Sequence, residues 1–158
     1  MTRVTLKFVS FAQELNRLLP LDLPHREACL AGAARHLELI VEVNQHFNLT
    51  RILNPREAAI KHVLDSVLPR HLFEGAKQIA DAGSGAGFPG IPLALILPDT
   101  RFTLLESTQK KAAFIASAIE SLAIQNANAV PERAEAYLTT HSVDIITARA
   151  LADRKSVV

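Results

Sequence analysis

The sequence predicts an α/β protein in which a helical N-terminal part precedes a parallel β-sheet. In the first half of the chain, apolar residues recur at the three- and four-residue intervals that are typical of amphipathic helices. From about residue 78 the pattern changes to short apolar runs that alternate with helical stretches, which indicates β-α-β units. A glycine-rich loop follows the first of these runs, where a backbone can approach a ligand closely.

Composition sets the broad class before any motif is considered. The chain has 158 residues, which fits one compact domain or a small domain with an extension. Its composition, 49% apolar and 21% charged, is that of an ordinary globular protein. The net charge of +1 neither requires nor excludes a nucleic-acid partner. One cysteine, Cys29, excludes an internal disulfide framework, and no apolar run reaches membrane-spanning length. We therefore expect a cytoplasmic, soluble protein without a membrane segment.

Apolar stripes predict three helices in the N-terminal part. The first stripe consists of Phe8, Phe11, Leu15 and Leu18. The second runs from about residue 25 to 47 and consists of Leu30, Ala34, Leu37, Val41 and Phe47, with Cys29 as a packing residue. The third helix begins at Asn54-Pro55-Arg56-Glu57, because Asn is a good N-cap and Pro suits the first helical position. Residues 1–70 are therefore predicted to form an N-terminal helical extension.

The rest of the chain, 71–152, is predicted to form the sheet domain. Strands are expected at 78–80, 101–106, 126–130 and 143–147. Helices are expected at 91–97 and after Ser107 or Thr108, and a short one within 131–141. A doubly wound sheet normally continues past its fourth strand, so we expect this sheet to be incomplete at the C-terminus. Residues 153–158 (DRKSVV) read like translated sequencing-adapter sequence and are interpreted as an artefactual tail.

Two ligand templates overlap in the loop DAGSGAGFPGIP, residues 81–92. Gly85-x-Gly87-x-x-Gly90 matches the dinucleotide fingerprint, with Glu106 at the distance expected of a ribose-binding carboxylate. Asp81-x-Gly83-x-Gly85-x-Gly87 instead matches the loop of methyltransferases that use S-adenosylmethionine.

Charge favours the second template. Asp81, at the end of its strand, would repel a pyrophosphate, whereas S-adenosylmethionine carries a sulfonium and an ammonium group. Pro89 and Pro92 are also expected to disturb the helix start that would hold a phosphate. Glu106 can bind the ribose hydroxyls of either ligand and does not discriminate.

Six segments together are specific enough to indicate a family. In chain order they are FNLTRI (47–52), HVLDSV (62–67), DAGSGAGFPGIPLA (81–94), TLLESTQKKAAF (103–114), RAE (133–135) and ARA (148–150). From about residue 25 to 152 the chain resembles the glucose-inhibited division protein B family, the bacterial small-subunit (16S) ribosomal RNA guanine-N7 methyltransferases. The resemblance implies a Rossmann-like, S-adenosylmethionine-dependent methyltransferase sheet behind an N-terminal helical extension.

The resemblance also implies roles for particular residues. Cofactor contacts would come from Asp81, Gly83, Gly85, Gly87 and Phe88, with Glu106 at the ribose, Ala134 and Glu135 at the adenine, and Arg149 nearby. RNA-facing or active-site groups would be Asn48, His62, Lys110, Lys111, Arg133 and Arg149. Asp65 and Ser66 would help His62 to close the site from the N-terminal helices. The implied partner is 16S rRNA or the small ribosomal subunit, with a monomeric protein and no metal.

The chemistry of guanine N7 fits what these residues offer. N7 carries a free lone pair, so its methylation needs proximity, in-line orientation and electrostatics rather than a general base. Arg149 and Lys110 are therefore expected to orient the substrate, with Arg149 at guanine O6 or a phosphate, or else in a structural ion pair. His62, Asp65 and Ser66 share a helical face, which indicates a hydrogen-bond cluster more than a hydrolase triad.

Other functions remain open at this point. They are a small-molecule methyltransferase, an inactive cofactor- or RNA-binding fragment, and a nicotinamide-dependent oxidoreductase.

Overall fold

The computed structural model describes residues 9–149 of the chain. The helices are α1 (Phe11–Leu18), α2 (Arg26–Asn44), α3 (Pro55–Ala58), α4 (Asp65–Val67), α5 (Gly90–Ile96), α6 (Gln109–Ser121) and α7 (Ala134–Tyr137). A π-helical segment, Ala59–Leu64, joins α3 to α4, and a 3-10 turn covers Arg70–Leu72. The strands are β1 (Gln78–Ala82), β2 (Arg101–Leu105), β3 (Ala127–Val130) and β4 (Ile145–Ala148). Among these residues, no helix is both long and apolar enough to cross a bilayer.

The four described strands form one parallel sheet in the order β3-β2-β1-β4. The chain winds from β1 outward to β3 and then returns to place β4 on the other side of β1. Loops that leave β1 and β4 therefore diverge at the carboxyl end of the sheet, and such a switch point opens a crevice for ligands. The predicted α/β class with a parallel sheet is confirmed.

The N-terminal helices pack against the sheet part through α5. α5 contacts both β2 of the sheet and α2 of the N-terminal part. The side chains that these parts bury include Ile79 of β1, Phe102 of β2, and Leu37 and Ile40 of α2. These side chains are almost fully buried and belong to one continuous apolar cluster. Cys29 is buried in the same cluster, where burial raises the pKa of its thiol to about 12. The described helices and strands thus share one core, while the division at residue 70 stays a prediction.

The third N-terminal helix begins as predicted and then departs from α-helical geometry. The Asn54 side chain accepts a hydrogen bond from the backbone of Glu57 at 3.1 Å, and Pro55 occupies the first helical position. The following turn widens into the π-helix Ala59–Leu64, whose carbonyls receive side-chain hydrogen bonds from outside the helix. A π-helix closes its hydrogen bonds one residue later than an α-helix, and six residues are too few for an apolar stripe to show that difference.

The side-chain amide of Asn126 connects the C-terminal end of α5 to the start of β2. The Nδ2 group of Asn126 donates to the carbonyls of Ala94, Leu97 and Thr100 at 2.9 to 3.0 Å. Carbonyls at a helix C-terminus lack intrahelical partners, so this amide supplies donors that the helix itself cannot.

Replacing Asn126 by Ala should therefore lower the free energy of unfolding by about 1–2 kcal/mol, because partly buried carbonyls lose a donor. Urea denaturation followed by circular dichroism measures the change. The matched control is Gln125→Ala, at the exposed neighbouring position, which should leave the midpoint close to that of the parent chain. Equal midpoints for the two variants would show that the amide does not stabilise this end of α5.

Candidate functional site

A cavity of about 450 Å³ lies at the carboxyl end of the sheet. Its wall is formed by the loop after β1, the end of β2, the start of α7, the end of β4 and the π-helix. Of the residues predicted for the site, the wall contains His62, Gly83, Gly85, Phe88, Glu106, Lys111, Arg133, Ala134, Glu135 and Arg149. The fold thus brings together residues that are up to 87 positions apart in the sequence.

The glycine loop has a backbone conformation that other residues rarely adopt. Gly85 has φ of +60°, and a Cβ built on it would meet no described atom within 4 Å. Gly85 is therefore needed for its conformation, and its backbone faces open space in the cavity. Gly87, with φ of +105°, faces inward instead, because a Cβ there would lie 2.7 Å from Ile91. Gly87 consequently shapes the loop from behind rather than lining the cavity.

Asp81 lies beneath this loop and is fully buried. Its Oδ2 atom accepts hydrogen bonds from the hydroxyl of Ser84 and from the backbone N–H of Gly90 at 2.9 Å. Its Oδ1 atom has no hydrogen-bond partner among the described residues. Burial, partly offset by these hydrogen bonds, raises the pKa of the Asp81 carboxyl group to about 7. Asp81 therefore connects β1, the loop and the start of α5.

Pro89 and Pro92 do not disturb the start of α5, contrary to the prediction, but another group blocks a phosphate there. Pro89 precedes α5 and Pro92 lies in its first turn, where a missing N–H group costs nothing and the proline φ suits a helix. The helix start is intact, but its first N–H group, from Gly90, already donates to Asp81. A carboxylate thus occupies the position that a pyrophosphate would need.

Glu106 follows β2 and lies at the cavity wall beside the glycine loop. The residue is 7% exposed, and its Oε2 atom accepts a hydrogen bond from the N–H of Gly85 at 3.4 Å. Its own backbone N–H donates to Val130 at 3.1 Å, which continues the pairing of β2 with β3. The carboxylate is thereby held in place next to the open backbone of Gly85.

Phe88 stands between two histidine rings. Its ring centroid is 4.7 Å from that of His36 in α2 and 4.6 Å from that of His62 in the π-helix. The Nε2 atom of His62 is 3.0 Å from the hydroxyl of Thr50. Burial and the nearby Arg149 guanidinium lower the pKa of His62 to about 4, so this ring is neutral near pH 7. The rings of His36, Phe88 and His62 form one stacked column. Through this column the N-terminal helices contact the cavity wall.

Arg149, just after β4, attaches the sheet to the π-helix. Its Nη1 atom donates to the Ser66 hydroxyl at 2.9 Å and to the His62 carbonyl at 3.4 Å, and Nη2 donates to the Lys61 carbonyl. A guanidinium has five N–H groups, so Nε and one Nη2 hydrogen make no hydrogen bond within residues 9–149. Arg149 thus lines the cavity and connects two parts of the fold.

The structure separates the three residues of the predicted helix-face cluster. Ser66 is fully buried and donates its hydroxyl to the backbone carbonyl of His62 rather than to the imidazole. Asp65 is exposed, and the His62 ring is bonded to Thr50. These three residues therefore do not form a hydrolase triad.

Several other predicted residues lie away from the cavity wall. Lys110 and Asn48 are exposed and do not line it, whereas their sequence neighbours Lys111 and Leu49 do. For the two lysines of α6 the reason is geometric, because consecutive residues on a helix point about 100° apart and only one of two can face a given cavity. Asn48 and Leu49 lie in the connection between α2 and α3.

The residues present fit S-adenosylmethionine. The cavity volume lies within the range of about 300 to 1,000 Å³ that is usual for cofactor sites. Gly85 offers open backbone, Glu106 offers a carboxylate, and the wall mixes polar and apolar groups. Within residues 9–149, no three His, Cys, Asp or Glu side chains gather as metal ligands would.

His36 was missed as a contributor to the site. The ring is fully buried in α2, and its Nε2 atom lies 2.8 Å from the carbonyl oxygen of Ala86 in the glycine loop. A histidine at an apolar position of a helix was the available signal, but the sequence does not show that the loop packs against it.

Fold and site together define a Rossmann-like α/β protein with a cavity at its switch point that suits a nucleoside-type cofactor. The sequence profile of the GidB family, described as rRNA small subunit methyltransferase G, matches residues 30–158. The chain belongs to this family, which confirms the resemblance seen in the motifs.

Three relatives carry the name ribosomal RNA small subunit methyltransferase G. The protein of Solibacter usitatus (strain Ellin6076) is 67% identical over 144 residues, which cover 91% of this chain and 69% of the relative. That of Nitrosococcus oceani is 47% identical, covering 74% of this chain and 54% of the relative. That of Dichelobacter nodosus is 36% identical, covering 86% of this chain and 64% of the relative. The chain thus spans between about half and two thirds of their length.

A solved structure of a mutant of MtNAS in complex with S-adenosylmethionine is also similar. The TM-score is 0.43 with 18% identity, over 94% of this chain and 61% of that chain.

Replacing Asp81 by Asn tests the buried carboxyl group. Its pKa of about 7 in the folded chain exceeds the ordinary value of 3.8, so the folded state binds this proton more tightly than the unfolded state. The group therefore lowers the free energy of unfolding as pH rises from about 4 to 7, by at most about 1.4 kcal/mol per pH unit. His36 and His62 have the opposite effect on the free energy of unfolding, which they raise as pH rises from about 4 to 6.5. The reason is that their pKa values are lowered to about 4 in the folded chain.

Asp81→Asn removes the contribution of this carboxyl group to the pH dependence of the free energy of unfolding and leaves that of the two histidines. Urea denaturation at several pH values should therefore show unfolding free energy that rises more with pH, or falls less, than in the parent chain. Asp99→Asn, at an exposed position, is the control. The same pH dependence in parent and Asp81→Asn would contradict a proton held by Asp81.

Proposed function

We propose that this protein transfers the methyl group of S-adenosylmethionine to N7 of a guanine in small-subunit ribosomal RNA. The observation that carries the proposal is the cavity between the glycine loop and Glu106, in a chain that belongs to a family of small-subunit rRNA methyltransferases. Glycine loop, acidic residue and α7 stand at the carboxyl ends of adjacent strands, where a parallel sheet binds nucleoside cofactors.

Each part of the cavity would hold a different part of the cofactor. The cofactor supplies an electrophilic methyl group on a positively charged sulfur. Glu106 would accept hydrogen bonds from the two ribose hydroxyls, and Ala134 with Glu135 would border the adenine. The open backbone of Gly83 and Gly85 would allow close approach. Asp81 would act from below by holding the loop.

The groups around the remaining space suit a nucleophile that needs no base. The lone pair of guanine N7 can attack directly, so the protein must orient the base and exclude water. His62 is neutral and stacked on Phe88, and a neutral ring does not repel the positive charge that develops on the methylated base. Arg149 would use its Nε and remaining Nη2 donors for guanine O6 or a phosphate.

Cations at the rim would meet the RNA backbone. Lys111 and Arg133 line the cavity. Arg51 is exposed two positions after Leu49, which also lines it, whereas exposed Lys61, next to the lining residue His62, is paired with Glu57 at 2.8 Å. On a chain with net charge +1, such a local group can attract phosphates without making the whole protein basic.

Methyl transfer to isolated small ribosomal subunits tests the proposal directly. We expect label from S-adenosylmethionine in the RNA, at one guanine that becomes cleavable by reduction and aniline treatment. The full 158-residue chain is used, beside a version extended to the length of its relatives. Label confined to small molecules, or binding of NAD but not S-adenosylmethionine in calorimetry, would contradict the proposal.

Replacing Glu106 by Gln tests the ribose contact. A charge-assisted hydrogen bond is lost while the shape is kept, so the Kd for S-adenosylmethionine should rise about tenfold or more. Isothermal titration calorimetry measures it. Glu120→Gln, at an exposed position of α6, should bind as the parent does. Unchanged affinity in Glu106→Gln would refute this assignment.

Lys110 and Lys111 form a matched pair for the RNA contact. Only Lys111 lines the cavity, so Lys111→Ala should lower kcat/KM for subunit methylation about tenfold, as expected for loss of a charged contact to RNA. Lys110→Ala should have the smaller effect, and neither should change the Kd for S-adenosylmethionine much. A larger loss in Lys110→Ala would restore the substrate-orienting role predicted for that residue from the sequence.

A further inference from the structure

His36 lies in α2, outside the cavity, yet it contacts the glycine loop at three consecutive residues. Its Nε2 atom is 2.8 Å from the carbonyl oxygen of Ala86, which lines the cavity. A Cβ on Gly87 would lie 3.3 Å from the His36 Cε1 atom, so the ring also packs against the backbone there. Its face stacks on Phe88 with a 4.7 Å centroid distance and 30° between planes.

The protonation of the ring follows from its surroundings. Burial lowers the pKa of His36 to about 4, so the imidazole is neutral and carries a single N–H group. A carbonyl oxygen can only accept, so that proton lies on Nε2 and is donated to Ala86. The Nδ1 atom then has no partner among the described residues.

A buried imidazole at this position destabilises the fold relative to an apolar ring of the same size. One buried nitrogen without a hydrogen bond opposes folding, and an apolar ring of similar size would fill the space without that cost. The histidine gains instead a hydrogen bond to a loop carbonyl and a flat face against Phe88. Both contacts restrict the segment of chain whose other side lines the cavity.

We propose that His36 is a positioning residue for the cofactor loop, fixing the Ala86 peptide by its Nε2 proton and the plane of Phe88 by its ring. The inference rests on the proposed function for the identity of the cofactor. Through Phe88 the same column reaches His62, so α2 sets the geometry of two walls of the cavity. His36 itself touches neither cofactor nor RNA.

Two substitutions separate the contacts. His36→Phe keeps a stacking ring but leaves the Ala86 carbonyl without its donor, whereas His36→Gln keeps an N–H group of similar reach without the ring. Cys29→Ala, at a buried position of the same helix, is the control for general loosening of the core. Thermal unfolding establishes which variants fold.

Calorimetry with S-adenosylmethionine and hydrogen exchange over residues 83–90 are the readouts. His36→Phe should raise the Kd about tenfold and speed exchange in the loop, because the Ala86 peptide without its donor is no longer held in one conformation. His36→Gln keeps the donor but loses the stacking on Phe88, so its Kd should rise about threefold, less than in His36→Phe. Both readouts equal to those of Cys29→Ala, in a His36→Phe chain that folds, would overturn the inference.

Nitrogen-15 spectra of the parent chain test the same contact without any variant. The His36 ring should be protonated at Nε2 and should not titrate down to about pH 5. A ring protonated at Nδ1, or one that titrates near its ordinary pKa, would overturn the inference. If the parent chain binds no S-adenosylmethionine, the proposed function fails, and the positioning role is then decided by loop exchange and these spectra.

Discussion

The carboxylate of Asp81 is the constraint on which the rest of the site depends. It lies at the end of the central strand and receives hydrogen bonds from Ser84, at the turn, and from Gly90, at the start of α5. Strand, loop and helix are thus joined at one buried group. Because water is excluded there, the group is held at the expense of its own ionisation, and burial raises its pKa to about 7. A loop with several left-handed glycines needs such a fixed point to keep one conformation.

The N-terminal helices complete the site rather than simply covering it. Two connections cross from them to the sheet part, one through the rings of His36, Phe88 and His62, the other through Arg149. The π-helix turns its carbonyls toward that guanidinium, and π-helical turns are frequent at functional sites. A chain without these helices would lose one wall of the cavity and the support behind its glycine loop.

The sequence predicted much of this architecture because its signals are local. Apolar spacing located the helices, Asn54-Pro55 marked the start of α3, and the change of period near residue 78 marked the sheet. The predicted disturbance of α5 by proline was wrong, because the effect of proline depends on its position within a helix. Pro92 lies in the first turn of α5, where proline is tolerated. Lys110 was predicted to orient the substrate, but α6 turns Lys111 rather than Lys110 toward the cavity, since consecutive helical residues point about 100° apart.

By itself the sequence determined the order of elements, the glycine loop with its neighbouring acidic residues, and the family. These are properties of residues close together in the chain, where steric limits on backbone angles and the alternation of apolar side chains act. Only the tertiary structure decided that Asp81 faces inward to hold the loop, that Arg149 docks on the π-helix, and that His36 meets Ala86 from 50 residues away. Those contacts depend on how elements pack, and packing depends on the shapes of all the surfaces that meet in the shared core.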